Sequence, residues 1–163
     1  MIEPRTDYER QIVDCVEHAG CFVVSVFPNE GSDDLPFSYS VGFTKSLGQP
    51  EVILLGLPSD TGHALVNDLF VMCRNGQRLT DGAQIDDLVP NFPVVARAVD
   101  ESWIVQSYFA SALWYHRTQM GGALQDAVQI VWPDADCNFP WDDGCADWVR
   151  ADQPALYEPR IAA

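Results

Sequence analysis

The chain has 163 residues, 47% of them hydrophobic, and its 24 acidic residues outnumber 9 basic residues to give a formal net charge of −15. A chain of this length can form one domain whose core needs no disulfide or metal to hold it together. Because so few Lys and Arg residues cannot displace the counterions of a nucleic acid, the composition argues against nucleic-acid binding. The sequence has no run of 18 apolar residues, which argues against a membrane span.

The five cysteines are odd in number and include no C-x-x-C pair. Secreted disulfide frameworks usually carry an even number of cysteines, so free thiols in a reducing compartment are the better interpretation. The first ten residues also lack the apolar segment of a signal peptide. We therefore expect a cytoplasmic protein.

The first third of the chain predicts one helix and three strands. Thr6 and Glu9 form a capping box, and the helix that they open is expected to end at Ala19, before Gly20. Three strand-like runs follow at residues 21–27, 37–43 and 51–57. The third run is apolar on both faces, which favours a central position in a sheet. The short connections favour antiparallel pairing.

The remainder predicts two further helices and two further strands. A second helix begins at Ser59 and ends before Asn75 and Gly76, and residues 77–93 carry no clear pattern. A strand at 94–99, a third helix capped by residues 100–102, a last strand at 127–132 and an extended tail at 149–163 follow. The order of elements predicts a single α+β domain over residues 1–163, with a mostly antiparallel sheet or a small barrel and about three helices.

The second predicted helix carries a polar stripe of His63, Asn67 and Arg74, at positions i, i+4 and i+11. Such a stripe can hold an anion or place a base in a cleft, and it can also be the solvated face that every surface helix has. A phosphate-bearing ligand would suit Arg74, although the net charge repels anions at long range.

Two short patterns resemble metal sites but lack the required ligands. Cys15, His18 and Cys21 have the spacing of half a zinc site, and no second pair of ligands accompanies them. The run from Asp134 begins like a calcium loop, but Phe139 stands where that loop requires glycine. The sequence therefore predicts no metal site. It identifies no cofactor and no catalytic residue, and it leaves open whether the protein is an enzyme.

Four stretches, taken in order, resemble a known family: residues 20–26, 36–44 with the run PFSYSVGFT, 50–69, and 129–141 with WPD and FPW. Together they resemble the bacterial family of domains of unknown function numbered 4262, over nearly the whole chain. The resemblance implies no activity. It implies motif positions at Tyr39, Gly42, Thr44, His63, Asn67, Trp132, Asp134 and Trp141. Such a mixture of groups suits a ligand pocket, and it equally suits a core with a few satisfied polar groups.

The leading prediction is a small-molecule-binding domain with scope for enzymatic activity, whose pocket lies between the second helix and the strand of residues 39–44. The predicted ligand-binding residues are Tyr39, Thr44, His63, Asn67, Arg74, Trp132, Asp134 and Trp141. The alternative is a non-catalytic interaction module, such as an inhibitor or immunity-type partner, that binds another protein through its acidic surface.

Overall fold

Six strands form one mixed sheet, and helices cover both of its faces. The computed structural model describes residues 1–161. Along the chain the elements are α1 (Asp7–Ala19), β1 (Phe22–Val26), β2 (Phe37–Val41), α2 (Phe43–Leu47), β3 (Glu51–Leu55), α3 (Ser59–Arg74), β4 (Gln84–Val89), β5 (Phe92–Ala98), a 3-10 helix (Glu101–Trp103), α4 (Gln106–Gln119), β6 (Ala127–Val131) and α5 (Asp147–Asp152). Over these residues, no helix is both long enough and apolar enough to cross a membrane.

The strand order is β1-β2-β3-β6-β5-β4. Neighbouring strands run antiparallel within β1-β2-β3 and within β4-β5-β6. The two halves join where β3 lies parallel to β6, with Glu51 opposite Ala127 and Ile53 opposite Gln129. The structure confirms the α+β class with a mostly antiparallel sheet, and of the two predicted shapes it has the sheet, with β1 and β4 as its edges.

All five residues of β3 are buried, because helices pack on both faces of this strand. Successive side chains of a strand point to opposite faces. Val52 and Leu54 belong to the core that α3 covers. Ile53 and Leu55 belong to the second core, which α1 and α4 cover. The central position predicted for this apolar run is therefore correct.

The second predicted strand ends earlier than its pattern suggests. β2 ends at Val41, and Gly42, with a φ of 115°, turns the chain into the short helix α2. A Cβ atom at Gly42 would lie 2.7 Å from the carbonyl oxygen of Gly20, so only glycine fits this turn. The alternation of residues 37–43 hides this turn, since a single glycine is its only signal.

Three other segments differ from their predicted structure. Residues 84–89, which lie in the stretch without a clear sequence pattern, form the edge strand β4. The helix predicted to begin at residues 100–102 starts at Gln106, because Asp100 instead caps a 3-10 helix by accepting a hydrogen bond from the Ser102 amide. The tail predicted as extended from residue 149 begins inside α5.

Gly56, directly after β3, lets α5 pack against the end of the strand. Its φ is 81°, and a Cβ atom there would lie 2.3 Å from the carbonyl oxygen of Asp152. Gly48 offers a matched control, since its φ is 65° and no atom lies within 4 Å of the Cβ position. We expect Gly56→Ala to lower the free energy of unfolding by about 3 kcal/mol, and Gly48→Ala by about 1 kcal/mol. Urea denaturation measures both, and equal losses would contradict the close packing of α5.

Candidate functional site

The carboxylate of Glu51, at the start of β3, is completely buried. Its Oε1 accepts hydrogen bonds from the Ser40 hydroxyl at 2.8 Å and the Phe43 amide at 3.0 Å. Its Oε2 accepts from the amides of Gly42 at 3.2 Å and Thr44 at 3.4 Å. These amides are free to donate because the first N–H groups of a helix have no partner within it. A buried charge is tolerated when it is paired and hydrogen-bonded, and these contacts meet that condition.

His116 on α4 contacts the same carboxylate, with its Nε2 atom 2.9 Å from Oε2 of Glu51. The two side chains are 6% and 0% exposed. α4 presents His116 on the face that also buries Phe109 and Ala112. Since the hydroxyl and the amides already donate to the carboxylate, Glu51 is an acceptor, and we assign the imidazole hydrogen to Nε2.

A cavity of about 250 Å³ lies beside His116. Its walls come from the end of α2, the loop before β3, and the end of α4 with the loop that follows, and they consist of Thr44, Gly48, Gln49, Pro50, His116, Met120, Gly122, Ala123, Gln125 and Asp126. In the part of the chain that the structure describes, every fully buried side-chain nitrogen or oxygen has a hydrogen-bond partner. The Nδ1 atom of His116 has none among these residues. The Nδ1 atom is therefore not fully buried, and it belongs to a residue that lines the cavity.

This arrangement supplies a base together with the group that orients it. With its hydrogen on Nε2, the neutral imidazole presents the lone pair of Nδ1, which can accept a hydrogen bond or a proton. The side-chain hydroxyl on the cavity wall, that of Thr44, donates to the carbonyl oxygen of Gln49 at 2.9 Å. Because that hydroxyl is already engaged, the geometry suits acid–base chemistry better than attack by a protein nucleophile.

Two of the predicted ligand-binding residues, Tyr39 and Thr44, belong to the elements that surround Glu51 and His116. Tyr39 is 2% exposed, and its hydroxyl accepts a hydrogen bond from the Ser111 amide at 2.9 Å, which ties β2 to α4. Burial raises the pKa of the Tyr39 hydroxyl above its ordinary value. Thr44 lies on the cavity wall and donates its amide to Glu51. Of the predicted residues, Thr44 is thus the one that the structure places beside His116.

The predicted stripe on α3 is an exposed row. His63, Asn67 and Arg74 are all exposed, and they line neither the cavity beside His116 nor the apolar cavity described below. The guanidinium of Arg74 lies 5.8 Å from the ring centroid of Phe70. The Oδ1 atom of Asn67 lies 4.0 Å from the thiol of Cys21. The three residues share a face, as the spacing predicts.

The space predicted between α3 and β2 is filled where the two elements meet. A Cβ atom at Gly62 of α3 would lie 2.6 Å from the hydroxyl oxygen of Ser38 on β2. The helix therefore rests directly on the strand at this contact, and the two cavities open elsewhere.

Trp132 and Asp134 line a second, apolar cavity beneath α3. The indole Nε1 of Trp132 donates to the carbonyl oxygen of Leu55 at 2.9 Å. The carboxylate of Asp134 accepts from the backbone amides of Asn138 and Asp136, each at 2.9 Å, and from that of Ala146 at 3.0 Å. The amide of Asn138, with those of the other two residues, lowers the pKa of Asp134. Both side chains therefore already form hydrogen bonds within the protein.

Trp141 lies apart from both cavities. Its ring is 41% exposed and stacks on Phe139 with a centroid distance of 5.1 Å. The guanidinium of Arg97 lies 4.8 Å from its centroid. The eight predicted residues are thus distributed over the core, an exposed helix face, two cavities and a surface aromatic cluster.

The sequence patterns did not single out Glu51 or His116. One signal was present: Glu51 is an acidic residue at the head of a run that is apolar on both faces, and such residues are almost never buried without a partner. His116 gave a weaker signal, as a histidine on the apolar face of its helix. That the two meet depends on contacts across 65 positions of the chain, which no local pattern reveals.

The cysteines do not add a nucleophile to this site. Burial raises the pKa of the Cys21 thiol to about 12, and the charge of Glu51 adds to the effect. Burial also raises the pKa of Cys73 to about 11. Thiols with raised pKa values are poor nucleophiles at neutral pH. Among residues 1–161, no group of three or more His, Cys, Asp or Glu side chains could hold a metal ion.

Fold and site together define an α+β domain with a buried carboxylate–imidazole pair beside a polar cavity. Residues 15–146 match the family model described as Domain of unknown function (DUF4262), and the chain belongs to this family. The matched span includes Glu51, His116 and every residue that lines the two cavities. No curated protein and no solved structure matches the chain.

The contacts of Glu51 predict that replacing this residue strongly lowers the stability of the protein. In Glu51→Gln, the amide NH2 group would face backbone N–H donors, and His116 would lose its anionic partner. We expect this change to lower the free energy of unfolding by about 3 kcal/mol. The control Glu17→Gln, on the exposed side of α1, should change it by less than about 0.5 kcal/mol. Urea denaturation at neutral pH compares the two, and similar values would show that the Glu51 contacts contribute little.

The raised pKa of the Cys21 thiol predicts that the protein loses stability at alkaline pH. Folding raises its pKa from 9.0 to about 12, so the native state holds this proton more tightly than the unfolded chain. This contribution is complete below pH about 9 and is lost as the pH rises towards about 12. We expect the free energy of unfolding of Cys21→Ala to fall less between pH 8 and pH 10 than that of the parent. Cys137→Ala, which removes an exposed thiol, should keep the parent's slope.

Proposed function

We propose that the protein is a small-molecule-binding domain whose ligand occupies the cavity beside His116 and donates a hydrogen bond to Nδ1. The observation that carries this proposal is the buried Glu51–His116 pair, which engages Nε2 and leaves Nδ1, on a residue that lines the cavity, without a hydrogen-bond partner among the described residues. The same atom can take a proton from a bound molecule, so the site has the components of general-base catalysis, with Glu51 as the positioning residue.

The cavity also indicates which ligands suit it. The side-chain amide of Gln49 donates to the carbonyl oxygen of Gln77 at 3.3 Å and accepts from the Leu79 amide at 3.2 Å, so it is not free to bind a ligand. The charged side chain on the wall is the carboxylate of Asp126, and the whole chain carries a net charge of −15. An uncharged or cationic molecule with an O–H or N–H donor is therefore favoured over an anion.

The access of reagents to Nδ1 provides the first test. In a His18→Gln, His63→Gln background, His116 is the single imidazole, because the chain has three histidines. Diethyl pyrocarbonate acylates an imidazole through an unprotonated nitrogen, so we expect one adduct on His116 in the folded protein, located by peptide mass spectrometry. If His116 reacts only after unfolding in urea, Nδ1 is not available to a ligand and the proposal fails.

A cavity-filling substitution tests whether the reactivity of His116 depends on this cavity. Ala123 is exposed on the cavity wall, and Ala64 is exposed on α3 outside it. Ala123→Trp should slow the acylation of His116 at least about tenfold, whereas Ala64→Trp should leave the rate unchanged. Native mass spectrometry of the freshly purified proteins is the matching binding experiment. A co-purified molecule that is present in the parent and in Ala64→Trp, but lost in Ala123→Trp, would support binding in this cavity.

A different observation supports a protein-interaction module as the second candidate. Trp141 and Trp148, which are 41% and 60% exposed, lie in a segment with the acidic residues Asp142, Asp143 and Asp147. Exposed tryptophans are frequent anchors of interfaces, and acidic neighbours favour a basic partner. A captured partner that dissociates as the salt concentration rises would support this function.

The proposal includes a reducing, cytoplasmic location and no direct contact with nucleic acid. The five cysteines are free thiols in the structure, which supports such a compartment. The excess of 24 acidic over 9 basic residues supports the second part, because nucleic-acid binding depends on basic surface.

A further inference from the structure

The apolar cavity beneath α3 is separate from the site of His116. It lies between α3, the ends of β3 and β6, and the hairpin of β4 and β5, with walls that include Leu54, Leu65, Leu88, Phe92, Ile130 and Trp132. Leu54 lies on the face of β3 that α3 covers, whereas Glu51 meets His116 of α4 on the opposite face. The two cavities therefore lie on opposite faces of the sheet and at opposite ends of β3.

The volume of this cavity is about 200 Å³. Protein interiors are close-packed, and voids larger than a water molecule are few. An engineered apolar cavity of about 150 Å³ stays dry and binds benzene. The cavity beneath α3 is larger than that, so it can accept a molecule with one or two small rings.

An irregularity in β4 places Leu88 on the wall of this cavity. Its pairing with β5 shifts register between Ile85 and Val89, so the regular alternation of the strand is interrupted. As a result Asp86 and Asp87 are both exposed, while Leu88 is buried on the cavity wall. Without the shift, alternation from the buried Ile85 would turn Asp87 inward. Irregularities of this kind re-aim side chains and are frequent beside binding sites.

Two polar side chains of the wall form hydrogen bonds within the protein. The indole nitrogen of Trp132 donates to Leu55, and the carboxylate of Asp134 accepts from three backbone amides. Within residues 1–161, the hydroxyl of Thr61 has no hydrogen-bond partner, and this exposed residue borders the cavity. A buried water needs two to four polar partners, so the interior favours an apolar occupant over water. The charge of Asp134 disfavours an anionic group.

We infer that this cavity binds one small, uncharged aromatic or branched aliphatic molecule, with any hydroxyl or carbonyl group of that molecule directed to Thr61. This second site differs from the polar cavity in the chemical class of its ligand, and it does not depend on Glu51 or His116. The protein therefore has two separate places for small molecules, one polar and one apolar.

Toluene is the probe for this inference, and benzoate is its charged counterpart. The methyl resonances of Leu88 and Ile130, both on the cavity wall, report on binding in the intact protein by NMR. We expect toluene to shift both resonances saturably with one-to-one stoichiometry, and to raise the melting temperature of the protein. Benzoate should bind at least about tenfold more weakly than toluene.

Two substitutions to phenylalanine on α3 provide the matched pair. Leu65 borders the cavity, whereas Val71 is 43% exposed outside it. Leu65→Phe should weaken toluene binding at least about tenfold, and Val71→Phe should leave it unchanged. Leu57→Phe, on another part of the wall, gives the same test if Leu65→Phe does not fold. Ala123→Trp should not affect toluene binding, which distinguishes a failure here from a failure at His116.

No saturable shift of the Leu88 and Ile130 methyl resonances up to the solubility of toluene would overturn the inference. Equal binding to the folded cavity-filling variants and to Val71→Phe would also overturn it. Benzoate binding as strong as that of toluene would contradict the assigned ligand class.

Discussion

Four parts of the chain converge on the buried carboxylate of Glu51. β3 supplies the side chain, β2 donates the Ser40 hydroxyl, the turn at the start of α2 donates three amides, and α4 contributes His116. A charge without solvent must be surrounded by donors, so the position of each of these segments is constrained by the others. The glycine turn at residue 42 follows from this constraint, because it aims consecutive amides at one carboxylate.

The same charge shapes the chemistry around it. It makes the nearby Cys21 thiol harder to ionise, and it selects the imidazole nitrogen that carries the hydrogen. In the proposed function, the imidazole nitrogen that meets the ligand is therefore determined by the contact that Glu51 makes with the other nitrogen. This resembles the general relation between a ligand-facing histidine and the carboxylate behind it, in which the rear partner fixes the tautomer. On the other face of the sheet, the walls of the apolar cavity are mostly aliphatic and aromatic, and the carboxylate of Asp134 lies among them, held by backbone amides.

Local sequence patterns were sufficient to predict most of the helices and strands. The start of α1 was predicted from Thr6, which accepts from the Glu9 amide, and the apolar run after Glu51 predicted the central position of β3. Patterns failed where a distant contact decides the structure. α2 exists because its amides meet Glu51, and Leu88 points inward because β4 shifts against β5.

The residues of the candidate site are harder to predict from the sequence than the elements of the fold. Tyr39 and Asp134 are polar side chains satisfied by backbone amides, and a motif cannot distinguish such residues from ligand-binding ones. The Glu51–His116 pair depends on the approach of α4 to β3, which sequence spacing does not encode.

The parallel pairing of β3 with β6 has a consequence for how the chain reaches its native state. Each half of the sheet can assemble from strands that are near neighbours along the chain, as in β1-β2-β3 and β4-β5. The seam between the halves requires the closure of a long loop, and the entropy of that closure opposes the seam until its contacts form. Glu51 lies at this seam, opposite Ala127, so its carboxylate is fully enclosed only after the halves meet. Until then, an ionised carboxylate remains in water at the head of an apolar strand, where it keeps that strand soluble and discourages premature association with another copy of the chain.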